Sequence, residues 1–199
     1  MNTSFDHSPV LSQVLWPADD RAGRILRGVI LAIVGSLLLT ASAKVKVPFY
    51  PVEMTMQTFV VLVLAAAYGW RLGVATVLLY LAQGAAGLPV FTGTPEKGLG
   101  LAYMAGPTAG YLGGFIIAAF IVGWLAEHGW TRRIARTALS MAVGTLAFFV
   151  PGVIWLSVLF GFDKAIAFGV TPFLLSEPTK VALAVFFVHG MWYLIKRET

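Results

Sequence analysis

Cysteine is absent from this chain, and charged side chains are scarce. The lack of cysteine excludes disulfide bonds, thiol nucleophiles and thiolate metal sites. Charged residues make up 12% of the 199 positions, whereas a soluble domain carries about 25%. Hydrophobic residues make up 58%, which predicts a membrane protein and excludes a soluble enzyme. The net charge of +5 is spread along the chain, so no nucleic-acid partner is expected.

Long runs without charge divide the chain into candidate membrane spans. A helix needs about 20 residues to cross the bilayer core, within a range of roughly 17 to 25. We therefore predict an all-α membrane protein, with six transmembrane helices in one compact bundle over residues 25–199 and a cytosolic N-terminal tail over residues 1–24. The runs are 28–43, 54–70, 72–95, 98–126, 137–162 and 165–195, the last interrupted by Glu177 and Lys180.

Arginine and lysine residues are distributed unevenly between the two sets of connections. Loops retained in the cytoplasm are richer in these residues. With the N-terminus inside, nine basic residues fall on the inner side and four on the outer side, so both termini are predicted to be cytoplasmic. The inner set is Arg21, Arg24, Arg27, Arg71, Arg132, Arg133, Arg136, Lys196 and Arg197, and the outer set is Lys44, Lys46, Lys97 and Lys164.

Two charges stand inside the last apolar segment, in the sequence Glu177-Pro178-Thr179-Lys180. A charge within a span costs roughly 2.5 to 3.5 kcal/mol and suggests a function. Proline suits the first position of a helix, so we expect the helix to begin at Pro178 with Glu177 as its N-cap. Residues three apart share a helix face. The pair is either an interfacial ion pair or a donor and acceptor that grip a neutral cyclic urea or amide.

Two outer segments, residues 44–57 and 87–100, are rich in proline, glycine and aromatic residues. They are expected either to cover the outer mouth as a lid or to anchor the protein at the membrane interface. In the first span, small residues recur every fourth position at Gly28, Ala32 and Ser36. Such a ridge lets another helix approach closely, and that helix belongs either to this chain or to a partner.

Three sequence runs, 47–69, 87–115 and 172–184, together resemble the BioY family of biotin transporters. The most specific elements are Pro-Val-x-x-Thr-x-Gln, residues 51–57, and Gly-Pro-Thr-x-Gly-Tyr, residues 106–111. The resemblance implies a six-helix substrate-capture subunit, the S component of an energy-coupling factor (ECF) vitamin transporter. It implies biotin uptake across a bacterial cytoplasmic membrane, with biotin as the transported substrate, membrane lipid as surroundings and no cofactor.

The resemblance also implies roles for particular residues. Glu177 and Lys180 would hold the ureido ring of biotin, and its carboxylate would lie near Lys44 or Lys46. Where some relatives place an asparagine ligand, this chain has Thr94-Pro95-Glu96-Lys97. The residues expected to bind substrate are Glu177, Lys180, Phe49, Gln57, Phe91 and Tyr103.

No nucleotide-binding Gly-x-x-x-x-Gly-Lys-Ser/Thr motif is present. In the family, a transmembrane coupling subunit and two ATPase subunits associate with the first span, here through Gly28, Ala32 and Ser36, although some members act alone. Transport of another vitamin is one alternative, and a non-transporting membrane assembly subunit is a second. An intramembrane enzyme is disfavoured, because His189 is the only histidine in a span and no His-Glu-x-x-His motif occurs.

Overall fold

The computed structural model describes residues 8–47 and 52–198. Over these residues the chain is almost entirely helical, because a segment in the bilayer core must satisfy its own backbone hydrogen bonds. The elements in chain order are α1 Leu11–Leu15, α2 Arg21–Lys44, β1 Lys46–Val47, β2 Met54–Thr55, α3 Gln57–Ala85, α4 Gly100–Met104, α5 Ala109–Glu127, a 3-10 turn Trp130–Arg132, α6 Ile134–Phe160, α7 Phe162–Gly169 and α8 Phe173–Glu198.

Five of these helices, α2, α3, α5, α6 and α8, are long and apolar enough to cross a membrane. Their outward faces carry large apolar side chains; Leu37 and Leu146, for example, are 60% and 62% exposed. A soluble monomer rarely exposes so much contiguous apolar surface. The architecture is therefore that of a multi-pass membrane protein.

Helix α3 reverses direction at Gly69, where φ is 77° and ψ is 174°. The positive φ favours glycine. The side-chain amide of Gln57 donates to the Tyr80 hydroxyl at 2.6 Å, whereas an unbroken helix would separate these residues by roughly 34 Å. A side chain at Gly73 would meet the Ala65 backbone at 3.3 Å, so the two arms pack closely. The predicted runs 54–70 and 72–95 are thus the two arms of α3, although the second arm ends at residue 85.

One predicted span is divided in the structure, and one predicted helix start is wrong. The run 98–126 contains α4 and α5 separated by Gly106-Pro107, because proline disfavours helical backbone in the residue before it. The last helix begins at Phe173 and not at Pro178, since Phe173 and Leu174 donate backbone hydrogen bonds to the preceding turn at Val170 and Thr171. Glu177 is therefore a residue within α8, one before Pro178, and not an N-cap.

Both terminal segments lie at one end of the bundle, which we call the arginine end. The amide of Ser8 donates to the Glu127 carbonyl at 2.7 Å, and the Arg132 guanidinium lies 5.0 Å from the Trp192 ring centroid. The opposite end, which we call the lysine end, contains β1, β2 and the connections on either side of α7. The two predicted sets of basic residues thus belong to opposite ends of the bundle.

Part of the predicted N-terminal tail packs on the bundle. Val10 and Leu11 are 1% and 3% exposed, and α1 contacts α3 and α8. The sequence does not indicate this packing, because residues 1–24 are mostly polar and only a few apolar residues in and beside α1 provide the contact.

Candidate functional site

A buried ion pair lies near the lysine end of the bundle, at the start of α8. Lys180 Nζ donates to Glu177 Oε1 at 2.6 Å, and the two residues are 7% and 3% exposed. Both lie on the first two turns of α8, three residues apart, and so point in a similar direction. The sequence left open whether these charges pair with each other, with water or with a ligand, and in this structure they pair with each other.

The hydroxyl of Thr58 connects the pair to α3. It donates to Glu177 Oε1 at 3.2 Å and lies 3.3 Å from Lys180 Nζ, from which it accepts. Thr58 is placed here because it follows Gln57 in the first turn of α3. Thr58 is not among the residues that the sequence predicts to bind substrate, although it directly follows the Pro-Val-x-x-Thr-x-Gln element.

The second carboxylate oxygen of Glu177, Oε2, is buried and has no hydrogen-bond partner among the described residues. An unpaired buried acceptor costs about 1 to 3 kcal/mol, and more when it is charged. The ammonium group of Lys180 has three N–H donors, and two of them are used within this cluster. The pair therefore offers one free acceptor and one further donor, both held by helices.

The pair borders a cavity between α3, α5, α6 and α8. Seven of its seventeen lining residues are aromatic, and the volume accessible to the centres of water molecules is about 50 Å³. A single water needs about 10 to 15 Å³ in this measure, so in this conformation the cavity has room for only a few waters. Its lining residues are Val52, Glu53, Thr55, Gln57, Thr58, Phe91, Thr92, Tyr103, Thr108, Tyr111, Leu112, Phe115, Phe148, Phe149, Phe173, Glu177 and Lys180.

Phe91 forms the aromatic centre of the wall nearest the lysine end. Its ring stacks on Tyr103, with centroids 4.9 Å apart and planes 14° from parallel, and meets the edge of Tyr80 at 5.4 Å. Burial raises the pKa of Tyr103 to about 12, so its hydroxyl remains protonated at neutral pH. This wall offers flat apolar surface with phenolic hydrogen-bonding groups at its margin.

Lys44 holds the loop that carries Phe91. Its ammonium group donates to the Phe91 carbonyl at 2.8 Å, the Thr94 carbonyl at 3.1 Å and the Thr94 hydroxyl at 3.0 Å. These three acceptors account for the three donors of a lysine. Lys44 is thus a structural clamp for the loop in this conformation.

A cluster of charges lies at the mouth of the cavity around Glu53. Lys46 and Lys97 approach its Oε1 at 3.1 and 3.0 Å, and the Thr92 hydroxyl donates to Oε2 at 2.5 Å. Burial opposes ionisation of Glu53, but hydrogen bonds from Thr92, Lys97 and Lys46 outweigh it and lower the pKa of this carboxyl. The cluster joins the β1–β2 segment to the loop before α4 and carries one positive charge in excess.

The structure brings together five of the six residues predicted to bind substrate. Glu177, Lys180, Gln57, Phe91 and Tyr103 all line the same cavity. Phe49 lies outside the described residues. Gln57 is 4% exposed and is held by its hydrogen bond to Tyr80.

The three residues predicted to contact a partner lie on the same helix but differ in burial. Gly28 and Ala32 of α2 are half-buried, and a side chain at Gly28 would meet nothing within 4 Å. Ser36 is fully buried and donates a hydrogen bond to Gln83 of α3. The surface around Gly28 is thus open to a neighbouring helix, while Ser36 is engaged within the chain.

Comparisons with known proteins agree with this architecture. The sequence model of the BioY family matches residues 11–197. The chain is 36% identical over 148 residues to a probable biotin transporter BioY of Pyrococcus horikoshii, covering 74% of this chain and 85% of that protein. It is 35% identical over 160 residues to the biotin transporter BioY of Thermotoga maritima, covering 80% and 92%.

A solved structure has the same fold. The crystal structure of the S-component for biotin from an ECF-type ABC transporter superposes with a TM-score of 0.75 at 20% sequence identity, over 88% of this chain and 95% of that one. The family match over residues 11–197 and the relatives at 35% and 36% identity show that the chain belongs to the BioY family.

Proposed function

We propose that this protein is a biotin uptake transporter that captures biotin from the outer side of a bacterial cytoplasmic membrane. The observation that carries the proposal is the buried Glu177–Lys180 pair, which offers a free acceptor and a donor to an aromatic cavity. The chain's relatives are named as biotin transporters, and we assign it no enzymatic reaction.

The ureido ring of biotin matches the pair chemically. This ring has N–H donors on either side of a polarised carbonyl. Glu177 Oε2 would accept from an N–H, and Lys180 would donate to the carbonyl, in a site where hydrogen bonds to charged groups contribute about 1.5 to 3 kcal/mol each. Phe91 and Tyr103 would cover the apolar bicyclic rings.

Binding requires the cavity to widen. The present space of about 50 Å³ admits a few waters and not a bicyclic vitamin. The part of the wall that would have to move is the loop before α4 together with the strands β1 and β2, because the other walls are long helices. These two segments would act as a lid that closes over bound biotin.

The carboxylate of biotin is assigned to the mouth cluster, near Lys46 and Lys97. Lys44, which the sequence offered as an alternative to Lys46, already donates to three acceptors. Lys46 and Lys97 share the single carboxylate of Glu53, so a second carboxylate would balance their charge. Lys97 would thereby supply a polar contact from the loop in which some relatives have an asparagine.

The proposed topology has six membrane-crossing segments with both termini in the cytoplasm. Counting the two arms of α3 separately turns five spanning helices into six crossings, and an even number returns the C-terminus to the side of the N-terminus. The arginine end is assigned to the cytoplasm by the positive-inside rule.

Energy coupling is proposed to come from other chains. A transmembrane coupling subunit with ATPase subunits would dock along α2 beside Gly28 and Ala32, with Ser36 supporting that face from within. The solved relative is described as belonging to an ECF-type ABC transporter, which favours this mode over solitary transport.

Binding of tritiated biotin to the purified full-length chain tests the proposal. Saturable binding is expected, with competition by unlabelled biotin and weaker competition by biotin methyl ester, which lacks the carboxylate charge. Riboflavin and thiamine should not compete. Absence of saturable binding, or stronger competition by another vitamin than by biotin, would overturn the assignment.

Uptake assays then separate the two modes of transport. The chain is expressed in a biotin-auxotrophic host that lacks ECF subunits, either alone or with a coupling subunit and ATPases. Growth on trace biotin is expected only with the partners, and equal growth without them would assign solitary transport.

A further inference from the structure

An apolar groove lies at the arginine end, on the side of the bundle remote from the proposed biotin cavity. It is formed by α1, α2, α3 and α8, and we call it the α1 groove. The volume of the groove that the centres of water molecules can reach is about 340 Å³, and no charged side chain lines it. Its walls include Leu15, Trp16, Leu31, Tyr68, Phe187 and Met191.

The groove is open towards the surroundings of the bundle. Leu15, Trp16 and Phe187 line it and are 55%, 42% and 52% exposed. Tryptophan is enriched where the bilayer core meets its polar headgroups. The position of Trp16 beside the arginines of α2 therefore places one end of the groove at the depth of the headgroups.

Arg27 contacts the groove residue Trp16 at this end, and Arg24 lies one helical turn before Arg27 on the same face of α2. Arg27 Nη1 donates to the Trp16 carbonyl at 2.7 Å, and Arg24 Nη1 donates to the Asp19 carbonyl at 2.7 Å. Arg27 precedes the groove residue Leu31 by one helical turn, so the two share a face of α2. A guanidinium group has five N–H donors. Arg24 and Arg27 each donate to one backbone carbonyl, so each has further donors available.

The arginines have no carboxylate partner within 4.0 Å among residues 8–47 and 52–198. The nearest acids in sequence are Asp19 and Asp20, and the Asp20 carboxylate caps α2 by accepting from the Gly23 amide at 3.0 Å. Arg21, Arg24 and Arg27 contribute three positive charges to this segment, and Asp19 and Asp20 contribute two negative charges. An anion at the mouth of the groove would therefore meet a net positive field.

We infer that the α1 groove binds one anionic phospholipid of the cytoplasmic leaflet, with its phosphate at Arg24 and Arg27 and an acyl chain along the apolar wall. An apolar channel that ends at fork-shaped cationic donors has the chemistry of a lipid with a charged headgroup, because arginine recognises phosphate in a bidentate manner. Basic residues near a membrane surface attract anionic lipids. The bound lipid would support α1 against α2 and α8.

Native mass spectrometry of the purified full-length chain tests this inference. Phosphatidylglycerol and phosphatidylcholine with identical acyl chains are titrated separately, and the dissociation constant of the first bound lipid is measured. The wild-type chain is expected to prefer phosphatidylglycerol. R24Q/R27Q should weaken its binding about 25-fold, or about fivefold per arginine, and R24K/R27K should retain most of the preference.

The matched control is R133Q/R136Q, which removes two arginines from the same end of the bundle but away from the α1 groove. It should leave the lipid preference unchanged, and all variants are compared by melting temperature to verify folding. Glycerol phosphate, which has the headgroup charge without acyl chains, should not displace the lipid. The inference is wrong if both lipids bind equally or neither binds, if the control loses as much preference as R24Q/R27Q, or if glycerol phosphate displaces the lipid at equal concentration.

Discussion

The buried pair of Glu177 and Lys180 makes a prediction that separates stability from substrate binding. We consider three variants, Glu177→Met, Lys180→Met and the double variant. Methionine is unbranched and of similar length, so each substitution removes a charge with little change in shape. A single substitution leaves the other charge buried without its partner, whereas the double variant leaves none.

The expected magnitudes follow from the burial of the pair. Removing one partner of a buried ion pair costs about 3 to 5 kcal/mol, and for a chain of this size each kcal/mol lowers the melting temperature by about 2 to 4 °C. Each single variant should therefore melt about 6 to 20 °C below the wild type. Replacing both charges by apolar side chains is neutral or stabilising by about 1 to 4 kcal/mol, so the double variant should melt at or above the wild-type temperature.

Two assays are needed on the same detergent-purified proteins. Thermal melting without biotin reports stability, and tritiated biotin binding reports the site. The control is Lys164→Met on α7, an exposed lysine at the same end, which should change neither quantity appreciably. The double variant is expected to be folded and unable to bind biotin. Single variants that melt at the wild-type temperature, or a double variant that binds biotin with wild-type affinity, would contradict these expectations.

Three further predictions concern residues around the cavity. Thr58→Val removes the hydroxyl that bridges the buried ion pair, so biotin affinity should fall by an amount equivalent to about 1 to 3 kcal/mol; unchanged affinity would remove Thr58 from the site. Gly84→Ala places a methyl group against the Phe91 ring and should cost about 1 to 3 kcal/mol of stability in thermal melts, whereas Gly113→Ala, which also lies within a helix but meets nothing within 4 Å, should be neutral or stabilising by up to about 1 kcal/mol, because alanine favours a helix more than glycine does. The pKa of Glu53 is lowered in the folded protein from its ordinary value of 4.5, so its stabilising contribution is present above that pH and is lost as the pH falls through the folded value. The difference in melting temperature between wild type and E53Q should accordingly stay constant down to about pH 4.5 and shrink below it; a difference that shrinks already near neutral pH would contradict the geometry.

The sequence predicted which segments form long helices, but it predicted the ends of those helices less well. The uncharged runs locate every long helix, because a chain in a bilayer must be apolar over a spanning length. The break at Gly106-Pro107 and the early start of α8 at Phe173 depend on the backbone restriction imposed by proline and on local hydrogen bonds, neither of which a charge count detects. The reversal at Gly69 was predicted only as a gap between two runs, marked by Arg71.

The charged residues of the site could be predicted from the sequence, but the hydroxyl groups that contact them could not. Glu177 and Lys180 stand out because charge inside a span is costly. Thr58 and Thr92 do not stand out, since threonine is tolerated almost anywhere in a span. Glu53 lies in a segment recognised as unusual, yet its pairing with lysines from two separate segments depends on how those segments meet.

The membrane environment, the sorting of arginines and lysines to opposite ends and the two charges of the buried pair could all be predicted from the amino-acid sequence. These features follow from the cost of placing charge in hydrocarbon, which each residue incurs wherever its neighbours lie. Three contacts could not be predicted: Thr58 bridges the pair, Lys44 holds the Phe91 loop, and α1 closes a groove beside Arg24 and Arg27. Those contacts join residues far apart in the chain, so they exist only once α3 has doubled back and the helices have packed.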